Sequence, residues 1–273
     1  MRYRGCHGTS SACSDRPSAA RLSPLGSPGI ALGVDALSFF VCAALLARIR
    51  ITPRTEGAQK EGYFGELRAG WREFTSHTWL WSTVGIFGLS NMFYVGCFAV
   101  LGPEIAKTEY GGASTWAVIL SAAGVGAVLG SLVAIRVRPS RPLLVSTLAP
   151  LPMVLQLVAL ALALPVWLVA AAAVLGGIGL SIHLTLWFTV FQREIPEQAQ
   201  SRVSSYDALG SFVLIPIGMA LAGPTAAVIG VEATLWLAVA IFVATTAIIV
   251  AIPSVRAIRA PTAAAANAPT MPA

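Results

Sequence analysis

Charged side chains are scarce in this chain, and one long stretch has none. Asp, Glu, Lys and Arg make up 11% of the 273 residues, whereas about a quarter of the residues in a soluble domain are charged. None of the four occurs from residue 142 to residue 192. Divided at Pro165, this run supplies two helices of about 22 to 26 residues, each able to cross a hydrocarbon layer of about 30 Å. The shortage of charge excludes an ordinary soluble domain and predicts a membrane protein.

Motifs of catalysis, phosphate binding and metal binding are also missing. There is no G-x-S-x-G elbow and no glycine-rich loop ending in Lys-Ser or Lys-Thr, the patterns that mark acyl-transfer and nucleotide sites. Cysteine is rare, and Cys6-His7 with Cys13 lacks the paired spacing of a zinc site. We therefore expect no enzyme activity, no cofactor and no metal. Any pumping must then draw on an ion gradient or on another chain.

Apolar sequence is abundant, at 56% of residues with a mean hydropathy of +0.75. Seven apolar runs are candidate membrane spans: 30–49, 79–103, 115–135, 142–164, 166–191, 203–228 and 232–252. In hydrocarbon each backbone N–H and C=O needs an internal partner, and the period-two alternation of a barrel is missing. The expected fold class is an all-α polytopic membrane protein with about seven transmembrane helices.

Basic residues cluster in alternate loops, and this pattern predicts an orientation, because Lys and Arg near span ends stay on the cytoplasmic side. They follow the first, third, fifth and last spans, at Arg48, Arg50, Arg54, Lys60, Arg68, Arg72, Arg136, Arg138, Arg141, Arg193, Arg202, Arg256 and Arg259. The other loops contain only Lys107. We expect a multi-pass protein of the plasma membrane with a cytoplasmic C-terminus. The net charge of +6 then requires no nucleic-acid partner.

Both termini and the first linker lie outside the predicted spans. Residues 1–29, rich in Ser, Pro, Gly and Arg, are expected to be a disordered tail. Seven spans would place this basic tail outside, so it truly lies there, or the first span does not cross, or the start is not the natural one. We favour the third explanation. Residues 254–273 are expected to form a cytoplasmic tail.

Residues 50–78 are expected to form a cytoplasmic linker with an amphipathic helix. Within 61–76, Phe64, Leu67, Trp71 and Phe74 recur at spacings of three and four, with charged residues on the other face. The segment is too short and too charged to cross a bilayer. It is expected either to lie along the membrane surface or to pack on the ends of the bundle.

Small residues form stripes on three spans, where they let helices approach closely in a bilayer. The stripes are Ala122, Gly124, Gly126, Ala127 and Gly130, then Gly176, Gly177 and Gly179, then Gly210, Gly218, Ala222 and Gly223. Pro150, Pro152 and Pro216 are candidate kinks, and transporter folds use bent helices near their binding sites. Plain helix packing is the simpler explanation of any one stripe.

Three stretches carry a family resemblance: ALGVDALSFFVCAALL, TWAVILSAAGVGAVLGSLVAIRVRPSRP and FQREIPEQAQSRVSSYDALGSFVLIPIGMALAGP. The last contains a loop proline, an arginine and a Ser-Ser-x-Asp pattern at Pro196, Arg202, Ser204, Ser205 and Asp207. Together they resemble the second half of a major facilitator superfamily transporter, preceded by the last helix of the first half. The most similar branch is that of the bacterial drug and siderophore exporters, of enterobactin-exporter-like or transmembrane secretion effector type. The loop from Gly130 to Arg141 is similar to the basic loop signature of the superfamily, with Ala134 in place of its acid.

The resemblance implies twelve helices in two halves, with a small-molecule substrate bound between the halves at the middle of the lipid bilayer. Residues 30–49 would match the last helix of the first half, and residues 79–253 the six-helix second half. The implied function is secondary active, proton-coupled export of small amphiphilic compounds such as drugs or siderophores. Because one wall of the cavity is missing, a second chain or self-association supplies it, or the chain is truncated. The alternative function is a non-transporting membrane fragment or a half-transporter subunit that needs a partner half.

Polar residues inside the spans are candidates for the substrate or proton pathway, because a charge at the bilayer centre costs about 2.5 to 3.5 kcal/mol on insertion scales. They are Asp35, Asn91, Tyr94, Gln156 and His183. Asp35 would hold and release a proton, or else be a neutral, hydrogen-bonded carboxyl. His183 is about 15 Å deep by helix rise, and its neutral imidazole would donate or accept a hydrogen bond at physiological pH. The other three face the cavity or join helices by hydrogen bonds.

Residues at the basic loops are candidates for a cytoplasmic gate: Arg136, Arg138, Arg141, Arg202 and Asp207. Asp207 would form an ion pair with a loop arginine. Alternatively, Asp207 caps the start of its helix together with Ser204 and Ser205, which explains these residues without a gate.

Overall fold

The computed structural model describes residues 28–48 and 62–260, and within these ranges all regular secondary structure is helical. The helices are α1 (Pro28–Ala47), α2 (Tyr63–Ser76), α3 (Thr78–Glu109), α4 (Ala113–Ala134), α5 (Pro142–Leu148), α6 (Val154–Ala161), α7 (Val166–Glu194), α8 (Glu197–Phe212), α9 (Ile215–Ile229), α10 (Val231–Ala251) and α11 (Pro253–Ala257). A 3-10 turn, Leu151–Met153, connects α5 to α6. The all-α prediction is confirmed.

In the described part of the chain, six helical segments are long and apolar enough to cross a membrane. They are α3, α4, α5 with α6, α7, α8 with α9, and α10. The first predicted span forms α1, but its apolar stretch Leu32–Ala47 is shorter than the others. The described chain therefore has six membrane-length helices where the sequence indicated seven, and it is a polytopic membrane protein.

The chain divides into two units after residue 59, and α1 is the described part of the first unit. Residues Leu32 to Arg48 are exposed, and the Ser38 hydroxyl donates to the Asp35 carbonyl at 2.7 Å. Residues 1–27, 49–61 and 261–273 lie outside the described residues, and with them most of the predicted tails and the first part of the linker. Next to these ranges, α1 begins at Pro28 and the short helix α11 begins at Pro253, and the assignment of residues 1–29 and 254–273 as tails stays a prediction.

Two further predicted boundaries differ from the structure. α3 continues through Pro103 to Glu109, because a proline removes only one i→i−4 hydrogen bond, and membrane helices tolerate that loss. α8 begins at Glu197, before the start predicted at residue 203. The polar residues 198–205 contain neither Gly nor Pro, so nothing in them prevents a helix.

Prolines coincide with interruptions in two of the six spans. Pro150 and Pro152 lie at the turn between α5 and α6, and Pro216 lies in the first turn of α9, just after α8 has ended. Proline has no N–H and is compatible with the first turn of a helix but not with its interior. The interruptions predicted at these three prolines are confirmed.

α4 and α7 pack against each other through glycines. A Cβ atom added to Gly126 would overlap the carbonyl of Val174, and one added to Gly177 would overlap the carbonyl of Ala123. Gly124, in the same predicted stripe, faces open space. Only part of that stripe is therefore a contact surface.

α3 approaches α8 and α9 by the same means. Gly88 lies against the backbone of Gly210, and Gly96 lies against the backbone of Gly218. Small residues let two backbones approach closely enough for dispersion contacts, which drive helix association where lipid replaces water. These contacts hold α8 beside the half of α3 that begins at Thr78.

The amphipathic helix α2 packs on α8. Phe74 is buried, the Tyr206 hydroxyl donates to the Leu67 carbonyl at 2.9 Å, and the rings of Trp71 and Tyr206 lie 5.4 Å apart. Phe64 is 81% exposed at the start of the same helix. The apolar face of α2 thus contacts the bundle at its C-terminal end and remains exposed at its N-terminal end.

Buried apolar residues form two clusters. The first includes Leu157, Val169 and Leu235, and the second includes Leu80 and Val203. The second cluster joins α3, α7 and α8 near the end of the bundle that α2 covers, and it borders the cavity described below.

Candidate functional site

A cavity of about 330 Å³ opens between α3, α7 and α8. Four aromatic side chains contribute to its wall: Phe87, Trp187, Phe188 and Phe212. Its polar lining residues are Thr83, His183, Ser204, Asp207 and Ser211. Small-molecule sites have volumes of about 300 to 1,000 Å³ and an apolar lining with a few polar groups, so this cavity has the dimensions and chemistry of a ligand site.

The helical repeat explains how three helices direct side chains to one cavity. Residues four apart lie on the same helix face, and each helix contributes such a pair. The pairs are Thr83 and Phe87 on α3, His183 and Trp187 on α7, and Asp207 and Ser211 on α8. Each pair contains at least one polar residue, so each of the three helices contributes a polar group to the cavity.

Asp207 receives its hydrogen bonds from neutral donors. Its Oδ2 accepts from Nε1 of Trp187 at 3.1 Å, and its Oδ1 accepts from Oγ of Ser211 at 3.4 Å. The residue is only 9% exposed. Within residues 28–48 and 62–260, no Lys, Arg or His nitrogen lies within 4.0 Å of this carboxylate. The cavity therefore contains a buried acid whose charge is not balanced there.

The interpretation of Asp207 as a helix cap is wrong. α8 begins at Glu197 after Pro196, so Asp207 lies well inside the helix. Ser204 and Ser205 both donate to the carbonyl of Ser201 in their own helix. A cap must lie at the first turn, where backbone N–H groups have no partner, and these residues do not.

His183 is held by α5. Its Nδ1 lies 2.8 Å from the carbonyl oxygen of Ser146 and 3.1 Å from the Ser146 hydroxyl, which itself donates to the His183 carbonyl at 3.0 Å. A carbonyl only accepts, so Nδ1 carries the proton and Nε2 is the acceptor of the neutral ring. The ring stacks on Phe87 at 5.0 Å and lies 6.3 Å from Trp187.

Asn91 connects α3 to the interruption between α8 and α9. Its Nδ2 donates to the carbonyl of Ser211 at 3.1 Å, and both residues are buried. Ser211 lies in the last turn of α8, where carbonyls have no partner within the helix. Because the Ser211 hydroxyl also donates to Asp207, Asn91 belongs to the polar network of the cavity without lining it.

Tyr94 and Gln156 form a separate pair. The Tyr94 hydroxyl lies 2.5 Å from Oε1 of Gln156, and this bond joins α3 to α6 within the first apolar cluster. The Tyr94 ring packs against Phe98 and Phe242. Neither Tyr94 nor Gln156 lines the cavity, so the geometry fits the helix-joining alternative for these two residues.

The candidate gate arginines do not meet Asp207. Arg136 donates to the carbonyl of Leu132, and Arg202 donates to the carbonyl of Gln198, each within its own helix region. Arg138 and Arg141 are exposed between α4 and α5. A gating role for these arginines stays a prediction, as does the proton-pathway role of Asp35, which lies in the separate unit of α1.

Several residues of the site were not predicted from the sequence. Trp187 donates a hydrogen bond to Asp207, and its ring stacks with that of His183. Ser146 accepts a hydrogen bond from the His183 imidazole. The Thr83 hydroxyl oxygen is buried and has no hydrogen-bond partner in the described part of the chain. Their spacing in the sequence could have identified two of these residues. Trp187 follows His183 by four residues, and Ser211 follows Asp207 by four, so each pair shares a helix face.

A metal centre would need several ligands in one place. In the part of the chain that the structure describes, no three His, Cys, Asp or Glu side chains are grouped to hold a metal ion. The cavity instead offers one carboxylate, one imidazole acceptor and aromatic faces, a set suited to a small organic molecule.

The described residues form six membrane-length helices that pack through glycine contacts and line an apolar cavity with few polar groups, which defines a polytopic helical membrane protein. The transmembrane secretion effector family matches residues 20–272, and the chain belongs to this family of the major facilitator superfamily. The resemblance to that superfamily is therefore confirmed, and it indicates a transporter rather than an enzyme. No curated protein and no solved structure matches the chain.

Proposed function

We propose that this protein serves in the secondary active export of small amphiphilic compounds, with the proton as coupling ion. One observation carries the proposal: a chain of a transporter family has a buried carboxylate, Asp207, which has no cation partner among the described residues and lies in a largely apolar cavity of about 330 Å³. Such a carboxyl is neutral while it holds a proton and has an unbalanced charge once the proton leaves. Exchange of the proton for substrate at this position would couple the two movements.

Residues 79–253 would be the second half of the transporter, and residues 30–49 would match the last helix of the first half. Three helices line the cavity, and a second six-helix unit would supply the opposite wall. That unit is another part of a longer polypeptide, a separate chain or a second copy of this chain. The proposed setting is the plasma membrane, with the linker and the C-terminal segment in the cytoplasm according to the distribution of basic residues.

His183 and Asp35 are the other ionisable groups of the proposed proton pathway. His183 lines the same cavity as Asp207, and its ring lies 6.3 Å from that of Trp187, the hydrogen-bond donor to Asp207. Asp35 is the only acidic residue of α1. Its contribution would depend on which groups surround α1 in the assembled transporter.

Transport by vesicles containing the purified protein tests the proposal. A proton gradient should drive accumulation of a fluorescent amphiphilic compound, and Asp207→Asn should abolish this movement. Glu104→Gln is the matched control, because this carboxylate lies in α3 away from the cavity between α3, α7 and α8, and it should leave transport unchanged. Accumulation of the compound is measured in vesicles with this chain alone and in vesicles that also contain a first-half polypeptide.

Vesicles with the chain alone and vesicles with the added first-half polypeptide test different parts of the proposal. Movement in either one that requires the gradient and Asp207 supports the proposed export. Movement only with the first-half polypeptide additionally supports a partner half. If neither arrangement moves the compound, the proposed transport is contradicted, and the alternative of a membrane polypeptide without transport activity takes its place.

A further inference from the structure

We propose that the cavity between α3, α7 and α8 binds a lipophilic organic cation of one positive charge, with Asp207 as its counter-ion. This inference deepens the proposed function and rests on it, because it makes the cavity the substrate pocket and selects among amphiphilic compounds by charge. It favours amines and quaternary ammonium compounds over anionic compounds.

The charge of the cavity is the first argument. The carboxylate of Asp207 receives two hydrogen bonds, both from neutral groups, the Trp187 indole and the Ser211 hydroxyl. Neutral donors orient a carboxylate but leave its net charge in place, and an unpaired charge away from water is unfavourable. A ligand cation would balance this charge, whereas an anion of the same shape would be repelled.

The aromatic wall is the second argument. Phe87, Trp187, Phe188 and Phe212 line the cavity, and Phe188 and Phe212 are about half exposed. Aromatic faces attract cations through the ring quadrupole, most strongly where water is excluded. A hydrated inorganic cation would need several oxygen ligands, and the described residues contain no such cluster. The wall therefore suits an organic cation with apolar substituents.

Two further polar groups of the lining have unused hydrogen-bonding capacity. Nδ1 of His183 is bound by Ser146, while Nε2 has no partner among the described residues and is an acceptor. The Thr83 hydroxyl likewise has no partner within residues 28–48 and 62–260, whereas Thr147 and Thr246 each donate to the carbonyl one turn earlier in their helices. A protonated amine therefore has a second acceptor, His183, on the wall of the cavity that contains Asp207.

The volume limits the ligand. A cavity of about 330 Å³ lies at the small end of the range for ligand sites. A single aromatic ring with a substituted ammonium group is of suitable size. A large compound with several negative charges conflicts with both the volume and the carboxylate.

Three probes of one shape test the inference. Benzyltrimethylammonium is the cation, (2,2-dimethylpropyl)benzene is its neutral carbon analogue, and phenylmethanesulfonate is an anion of similar shape. Binding to the purified full chain in detergent is measured by titration calorimetry. The cation should bind at least tenfold more tightly than the neutral analogue, and the anion should show no binding.

Variants connect the binding to the cavity. Asp207→Asn should weaken binding of the cation at least tenfold without changing that of the neutral analogue, and Glu104→Gln should change neither. Phe212→Ala should weaken cation binding about fivefold, whereas Phe39→Ala in α1 should not. Folding of each variant is checked by circular dichroism and gel filtration. If Asp207→Asn fails to fold, the comparison of Phe212→Ala with Phe39→Ala still tests the inference.

Each result has one meaning for the inference. Equal binding of cation and anion, or cation binding unaffected by both Asp207→Asn and Phe212→Ala, overturns it. Cation binding that depends on Asp207 without gradient-driven movement supports the site and contradicts the proposed function. Gradient-driven movement of neutral or anionic compounds without cation binding contradicts the site and leaves the proposed function in place.

Discussion

Nε1 of Trp187 donates a hydrogen bond to Oδ2 of Asp207 across 3.1 Å, and this bond joins α7 to α8 at the wall of the cavity. The same indole ring lies 6.3 Å from the imidazole of His183. One tryptophan thus contacts both ionisable groups that line the cavity. Its N–H orients the carboxylate without neutralising it, which leaves Asp207 available to a proton or to a ligand cation.

Replacing this donor should destabilise the protein. Trp187→Phe removes the N–H and leaves a buried carboxylate oxygen without it, which costs about 1 to 3 kcal/mol. We expect a lower melting temperature in detergent, measured by circular dichroism. Trp167→Phe is the control, because Trp167 is 68% exposed and should not shift the transition. Equal transitions for the two variants would show that the bond does not contribute to stability.

The contact between α4 and α7 predicts opposite effects for two glycines on one helix. Gly126→Ala places a Cβ atom against the Val174 carbonyl, whereas Gly124→Ala places one in open space. Alanine favours a helix over glycine by about 1 kcal/mol, so Gly124→Ala should leave thermal stability unchanged or raised. Gly126→Ala should lower it. Similar melting temperatures for both variants would contradict the close approach of α4 to α7.

The bond between Tyr94 and Gln156 should be measurable as a coupling energy. Tyr94→Phe, Gln156→Leu and the double variant form a mutant cycle, and hydrogen bonds between membrane helices contribute about 0.6 to 1.7 kcal/mol. Reversible unfolding in mixed micelles supplies the three free-energy differences. A second cycle that combines Tyr94→Phe with Gln198→Leu is the control. Gln198 is an exposed residue of α8, so this cycle should give no coupling energy. No coupling in the first cycle would count against the helix-joining role.

Two buried threonines should respond differently to loss of their hydroxyls. Thr83 and Thr245 are equally buried, at 4% exposure, but only Thr245 bonds across helices, to Ser90 at 3.1 Å. Thr245→Val should lower the melting temperature because Ser90 loses its partner. Thr83→Val removes an unpaired buried hydroxyl and should leave stability unchanged or raised. A larger loss for Thr83→Val would reveal a partner of that hydroxyl.

Hydropathy predicted the helices of the second unit because lipid leaves the backbone no partner outside its own segment. The run from residue 142 to residue 192 divides at Pro165 into two spans, as expected, with α7 beginning at Val166. Boundaries were less predictable. Pro103 lies inside α3, and the polar residues after Pro196 are helical, since neither a single proline nor polar side chains decide where a helix ends.

Only part of the candidate site was predictable from the sequence. The position of His183 indicated a polar group deep in its span, whereas Asp207 was expected at the cytoplasmic end of its helix. The meeting of these two residues in one cavity depends on how α7 and α8 are rotated about their axes. Backbone contacts of glycines such as Gly88 and Gly210 contribute to that rotation, and no local pattern reports it. Trp187 was therefore not recognised, although its spacing from His183 placed both on one helix face.

The central claim is that the apolar helices cross a membrane, and α4 offers the most direct test because exposed residues flank it. Thr108 lies in the last turn of α3, and Ser140 lies between α4 and α5. The native cysteines Cys6, Cys13, Cys42 and Cys97 are first replaced, and Thr108→Cys and Ser140→Cys are then introduced singly. Each variant is labelled with a membrane-impermeant maleimide in intact cells and again after permeabilisation.

The basic residues around Ser140 predict that Ser140→Cys reacts only after permeabilisation, whereas Thr108→Cys reacts in intact cells. Reaction of both cysteines from the same face would mean that α4 does not cross the membrane, and it would contradict the six-helix membrane fold and the transporter function built on it.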